Sequence, residues 1–121
     1  KAALDMVMPV PLHTKRLRMR GFNQALLLAH GTAERFSIPL VYDNLVRVRS
    51  TRPQVELTGL ERTANVQGAF RLVRPDVVAD KRVLLVDDVY TTGSTMNECA
   101  KVLKDAGAAA VIVLTLARTS E

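Results

Sequence analysis

Two adjacent aspartates, Asp87 and Asp88, close an apolar run at Val83–Val86, and Thr91-Thr92-Gly93-Ser94-Thr95 follows two residues later. Small and hydroxyl residues ahead of an amphipathic helix place backbone N–H groups and hydroxyls at a helix N-terminus, where the macrodipole favours an anion. Two carboxylates beside an anion are repulsive unless the ligand brings its own donors or a cation. A ligand with a phosphate at one end and hydroxyls or a metal at the other satisfies both halves, and a sugar phosphate is such a ligand. A nucleotide-type phosphate loop is excluded, because no G-x-x-x-x-G-K-[ST] occurs. One hydroxyl residue here would be an ordinary helix cap. Asp-Asp followed by Thr-Thr-Gly-Ser-Thr is more than a cap requires.

Three further features bear on chemistry. Pro9–Gln24 runs from a proline-marked strand end into a basic turn, and its arginines offer planar, bidentate donors suited to phosphate oxygens. Arg47–Gly68 is polar and charged and holds Pro53 and Gly59; so long a connection in a small domain is more often functional than idle. It is expected to be the least ordered internal segment, although Leu60–Val66 has the pattern of a helical turn or two. Cys99 falls on the apolar face of a helix and reads as a core residue. His30 reads as structural or exposed.

The elements that position these residues follow from periodicity. Asp5–Val10 reads as a short buried strand, ended by Pro9 and Pro11, which cannot donate to a ladder. Lys15–Gly21 is a basic connector. From Phe22 the apolar positions Phe22, Leu26, Ala29, Ala33 and Phe36 keep helical spacing, Gly31 costs that helix about 1 kcal/mol against alanine, and Pro39 bars its continuation. Leu40–Val46 and Ala69–Val73 read as strands, the second at a sheet edge. Strand Val83–Val86, helix Ser94–Ala106 and strand Ala110–Leu116 make a βαβ unit, with Met96, Cys99, Ala100 and Leu103 on one helix face and Gly107 where a C-terminal cap belongs. The last strand is uninterruptedly apolar, which predicts cover on both sides. Alternating strands and helices predict an α/β fold with a doubly wound, mostly parallel sheet, whose ligands bind beyond the carboxyl ends of the strands.

The chain has 121 residues, 48% of them apolar, which fits one domain with a real core. No transmembrane-length apolar run, repeat or low-complexity tract occurs. One cysteine excludes an internal disulfide and a multi-cysteine zinc site and fits a reducing, cytoplasmic setting. The opening at Lys1, close to the first core strand, predicts a fragment of a longer protein.

Val86–Thr95, V-D-D-V-x-T-T-G-S-T, resembles the 5-phosphoribosyl-1-pyrophosphate (PRPP) signature of type I phosphoribosyltransferases. PVPLHTKRLRMRGFNQA (Pro9–Ala25) and QVELTGLERTANVQGAF (Gln54–Phe70) are similar to the ComF/GntX-like branch, linked to competence for DNA uptake and to gluconate utilisation. The similarity runs from about Asp5 to Arg118. It implies a type I phosphoribosyltransferase core over residues 1–121, lacking the four-cysteine zinc module that precedes it in the family.

By this resemblance Thr91, Thr92, Gly93, Ser94 and Thr95 hold the 5-phosphate, with Gly93 allowing close approach. Asp87 and Asp88 accept hydrogen bonds from the ribose hydroxyls and help position Mg²⁺ through ligand or water. Pro11, Leu12 and His13 match the pyrophosphate-side loop, and Arg16, Arg20, Asn23 and Gln24 match the family's R-x-x-x-R-G-F-N-Q. Arg49, Arg52, Gln54, Arg62 and Asn65 match a mobile loop that closes over the reacting centre; Arg52 joins the two aspartates as the implied catalytic set. The implied reaction displaces pyrophosphate from C1 of PRPP by an acceptor, a nucleobase or another nucleophile, through an oxocarbenium-like state.

Two readings of function stand. One is a Mg²⁺-dependent transferase. The other is a PRPP-binding regulatory or DNA-uptake accessory domain that engages competence-machinery proteins or single-stranded DNA. A homodimer is compatible with both. The net charge of +5 has three readings: attraction of an anionic substrate, a solvated surface, or nucleic-acid binding. The first is preferred, because much of the charge lies in Lys15–Arg20 and Arg47–Arg62, beside the implied pyrophosphate.

Overall fold

A strand buried on both faces tolerates an unbroken apolar run, and two such runs lie at the centre of this protein. The structure, a computed structural model, describes residues 3–11, 24–48, 67–90 and 93–118, with side chains omitted at 88–90, 94 and 116–118. Met6–Pro9 forms β1 and Arg82–Tyr90 forms β4; they pair in parallel, Met6 opposite Val83 and Pro9 opposite Val86. The ladder continues one residue further, where the Val10 N–H donates to the Val86 carbonyl at 2.8 Å. Pro11 then has no N–H to offer. Ala110–Arg118 (β5) pairs in parallel with the other edge of β4. On the free side of β1, Leu40 makes a single parallel bridge to Val7.

Alternation along β1 and β4 divides the core in two. Met6, Met8, Val10, Val83 and Leu85 face one layer, completed by Met96, Cys99 and Leu103 of helix α2 (Ser94–Asp105). Val7, Leu84 and Val86 face the other, completed by Ala29 and Ala33 of helix α1 (Gln24–Phe36). The helices therefore cover opposite faces of the sheet, as a doubly wound fold requires. The α1 contact is made by small residues, Ala25, Ala29, Thr32 and Ala33. These let its backbone approach the sheet, so of the apolar positions that keep helical spacing Ala29 and Ala33 are buried, Leu26 is half-buried and Phe36 is 61% exposed. Phe22 lies outside the described residues.

The expected strand over 40–46 is broken. Asn44 is fully buried, its Oδ1 accepting the Arg74 N–H at 2.7 Å and its Nδ2 donating to the Arg74 carbonyl at 3.1 Å. That pair of bonds fixes a bend, after which Leu45–Arg47 (β2) leaves the parallel sheet and pairs antiparallel with Phe70–Leu72 (β3). The ribbon's inner face, Leu45, Phe70 and Leu72, packs onto the α2 layer. A short 3₁₀ turn, Pro75–Val78, buries Val78 and leads to β4.

Within the βαβ unit, β4 reaches from Arg82 to Tyr90 and so contains both aspartates, α2 matches its expected span to one residue, and Gly107 takes φ +95° just beyond it. The expectation that β5 is covered on both sides is not met. α1 packs chiefly on β1 and β4, and β5 is the last strand of the described sheet. Ile112, Val113 and Leu114 are consequently 48%, 48% and 38% exposed. Among the described residues, no helix is long and apolar enough to cross a membrane.

Candidate functional site

Connections leave β1 and β4 in opposite directions: β1 continues through α1 to the bridge at Leu40, and β4 through α2 to β5. Between the carboxyl ends of two strands that diverge in this way lies the crevice where open α/β sheets bind ligands. The residues that the fold brings to that end are Val10 and Pro11 after β1, Asp87 and Asp88 on β4, and Gly93 at the start of α2.

Gly93 precedes the first turn of α2 with φ +88° and ψ −1°, a left-handed conformation that side-chain-bearing residues seldom adopt. Its carbonyl accepts the Asn97 N–H at 2.7 Å, starting the helix. A glycine has no side chain with which to cap the helix, so Gly93 itself supplies no capping hydroxyl to the dipole end of α2. The hydroxyl that sequence statistics would place at the cap is displaced to Ser94 and Thr95 within the first turn, and Thr95 is half-buried there.

Asp87 is half-buried and lies opposite Thr115 in the β4–β5 register. Val83 and Leu85 precede it on the same face of the strand, so Asp87 belongs to the α2 layer. Cys99, completely buried on α2, reports on its surroundings. Burial pushes its thiol far above the usual range; the charge of Arg47 opposes that shift, while Asp87 and Glu98 add to it. The thiol therefore stays protonated, a core residue as expected, and three charges stand within electrostatic reach of its sulfur.

No motif in the sequence marks Arg47. It occupies the inner face of the ribbon, two residues after buried Leu45, and its guanidinium lies over the Phe70 ring with its carbon 4.6 Å from the ring centroid. Period-2 alternation from Leu45 would have marked an arginine in an inward position, but only once the strand's start was known. The ribbon also brings together both ends of the segment 49–66. The Val48 N–H donates to the Ala69 carbonyl at 2.7 Å, and the Gly68 N–H donates to Glu98 Oε2 on α2 at 3.1 Å.

The remaining expected site residues, Leu12, His13, Arg16, Arg20, Asn23, Arg49, Arg52, Gln54, Arg62, Asn65, Thr91 and Thr92, lie outside the described residues, as do the side chains of Asp88 and Ser94. Gln24 is exposed at the start of α1, and His30 is exposed beside Glu34, 4.0 Å away. Among the described residues no three His, Cys, Asp or Glu side chains gather as a metal cage. Tandem carboxylates at a strand end fit a different kind of site, that of Mg²⁺, which takes one or two carboxylates and completes its shell with ligand phosphates and water.

A doubly wound sheet with strand-end carboxylates and a glycine-started helix at its switch point defines an α/β domain of the kind that binds ligands beyond its strand ends. Residues 23–121 match the phosphoribosyl transferase domain, and the chain belongs to that family. It is similar to competence protein F of Haemophilus influenzae, with 40% identity over 115 residues that cover 94% of this chain and 50% of that protein. The chain thus spans about half the length of the curated relatives it matches. Among solved structures it resembles the allosteric regulatory enzyme of purine biosynthesis, with TM-score 0.64 and 28% identity over 95% of this chain and 22% of that one. The glutamine PRPP amidotransferase of B. subtilis is a similar match, with TM-score 0.63 and 26% identity over 95% and 23% of the two chains. The fold is that of a type I phosphoribosyltransferase core.

Proposed function

We propose that this domain binds PRPP and transfers its phosphoribosyl group to an acceptor, releasing pyrophosphate. The observation that carries the reading is the pairing of the glycine-started N-terminus of α2 with the carboxylates of β4 at the switch point. In this reading the amides and hydroxyls of 91–95 hold the 5-phosphate, and Asp87 and Asp88 accept hydrogen bonds from the ribose hydroxyls. Pro11, with Leu12, His13, Arg16 and Arg20 beyond it, borders the pyrophosphate. Arg49, Arg52, Gln54, Arg62 and Asn65 belong to a segment that closes over C1 and excludes water.

Mg²⁺ would be held by the ligand's phosphates, with Asp87 and Asp88 acting through ligand or water, and it would supply charge neutralisation to the leaving pyrophosphate. The protein's own contribution is electrostatic and positional: donors fixed at one end of the ligand, carboxylates at its centre and arginines at the departing group. Incubation with Mg²⁺-PRPP and a panel of nucleobases, with pyrophosphate release as the readout, tests the transfer. Release that depends on one acceptor supports it.

A second reading is favoured by the similarity to competence protein F: a domain that binds PRPP without turnover and serves DNA uptake through protein partners or single-stranded DNA. Calorimetric binding of Mg²⁺-PRPP with no pyrophosphate released across the panel selects this alternative. Absence of PRPP binding rejects both.

A further inference from the structure

The site sets an electrostatic problem: two carboxylates stand where a polyanionic ligand must come. We propose that Arg47 solves it, as the internal counter-cation of Asp87 and a positioning residue for the PRPP site. The inference rests on the reading of that site as one for PRPP.

Three observations carry it. Arg47 is on the inner face of the β2–β3 ribbon, two residues after Leu45 and opposite Phe70, where every other side chain facing in is apolar and buried. Its guanidinium is held over the Phe70 ring, 4.6 Å from the centroid, which fixes the charge in the layer between ribbon, α2 and β4. Asp87 enters that same layer from β4, after Val83 and Leu85, and the charges of both residues reach the one sulfur of Cys99 that lies between these elements. A cation placed in a largely apolar layer requires a nearby anion, and a carboxylate beside a phosphate site requires a nearby cation. Asp87 and Arg47 answer each other's need. Glu98 is the other anion within reach of Cys99; its Oε2 accepts a hydrogen bond from the Gly68 N–H, and the cycle on Asp87 distinguishes the two carboxylates as partners of Arg47.

The consequence is functional. Arg47 is the last residue of β2, and the segment 49–66 begins two residues later. The cation that offsets Asp87 is thus fixed by the β2–β3 ribbon, and not by the strand that carries the carboxylate. Ligand affinity and the seating of the ribbon on the sheet share one charge pair.

The test is a double-mutant cycle on Arg47→Met and Asp87→Asn, with Arg47→Lys as the conservative variant. Methionine keeps a flexible apolar side chain over Phe70 and removes the charge. Calorimetry with Mg²⁺-PRPP should show Arg47→Met weakening binding at least tenfold in the wild-type background, but by less than threefold when Asp87 is already Asn. Arg47→Lys should recover most of the affinity, which a purely packing role would not produce. Equal losses in both backgrounds, or wild-type affinity in Arg47→Met, would overturn the inference while leaving PRPP binding in place. If the wild-type chain binds no PRPP, the function reading fails separately, and the same cycle measured on urea midpoints without ligand still decides the pair. Arg47→Met should lower the midpoint in the wild type and not in Asp87→Asn; additive shifts would overturn the pairing.

Discussion

At the scale of single residues, the site turns on side chains that are absent as much as on those present. Gly93 starts α2 at φ +88°. Gly93→Val would force a β-branched residue into a left-handed conformation and set its side chain where the anion is expected. Calorimetry should find PRPP binding nearly lost in that variant with the far-ultraviolet dichroism retained; wild-type affinity would remove the main support for a 5-phosphate at this helix. The aspartates are tested by a contrast between ligands. Changing Asp87 and Asp88 together to Asn should weaken Mg²⁺-PRPP by more than about 1 kcal/mol, the usual worth of hydrogen bonds to charged groups. Sulfate binding should stay the same or tighten, because two repulsive charges have gone. Equal weakening of both ligands would mean that the carboxylates only hold the turn together.

At the scale of elements, the ribbon and β5 distinguish what is anchored from what is not. The ends of the segment 49–66 are tied to the body by Val48 and Gly68, through bonds of 2.7 and 3.1 Å to Ala69 and Glu98. Adding Mg²⁺-PRPP should slow amide hydrogen exchange across 49–66, and exchange that ligand leaves unchanged would count against closure. On the sheet, burial predicts unequal costs for one chemical change. Leu85→Ala empties a fully buried position in the α2 layer and should cost about 2–5 kcal/mol. Leu114→Ala on half-uncovered β5 should cost clearly less, about 1 kcal/mol or under, because less apolar area returns to water. Urea denaturation of the two variants measures the difference. Similar costs would show that β5 is covered in solution, as by a second copy of the chain.

At the scale of the whole molecule, binding and stability are one measurement. A ligand that binds only the folded state stabilises it by about 2.7 kcal/mol at a hundredfold excess over its Kd. Mg²⁺-PRPP should therefore raise the melting temperature by several degrees, and PRPP without Mg²⁺ by less. Equal shifts with and without Mg²⁺ would argue against a metal-bridged ligand. The net charge of +5 acts in the same direction, drawing a polyanion toward the protein and making that attraction weaken with salt.

The amino-acid sequence by itself determined the βαβ unit from Arg82 onward. Its signals are local: an apolar run, an amphipathic helix whose buried face is Met96, Cys99 and Leu103, and a glycine beyond the last turn at 107. It also marked the helix start at 93–95 as a place for an anion, because donors for one anion are most simply supplied by consecutive residues at a single helix start. Tertiary structure decided what depends on distant partners. Asn44 breaks the strand expected over 40–46 by bonding both backbone groups of Arg74, thirty residues away. α1 meets the sheet with alanines rather than with Phe36, since close approach of helix to strand favours small side chains. β5, apolar enough for a central strand, lies at the edge of the described sheet, because a run of valine, isoleucine and leucine states what a strand can bury and not what is beside it. Arg47 and Asp87, forty positions apart in the chain, come within electrostatic reach of one buried sulfur only through the fold, by way of the ribbon, the sheet and α2.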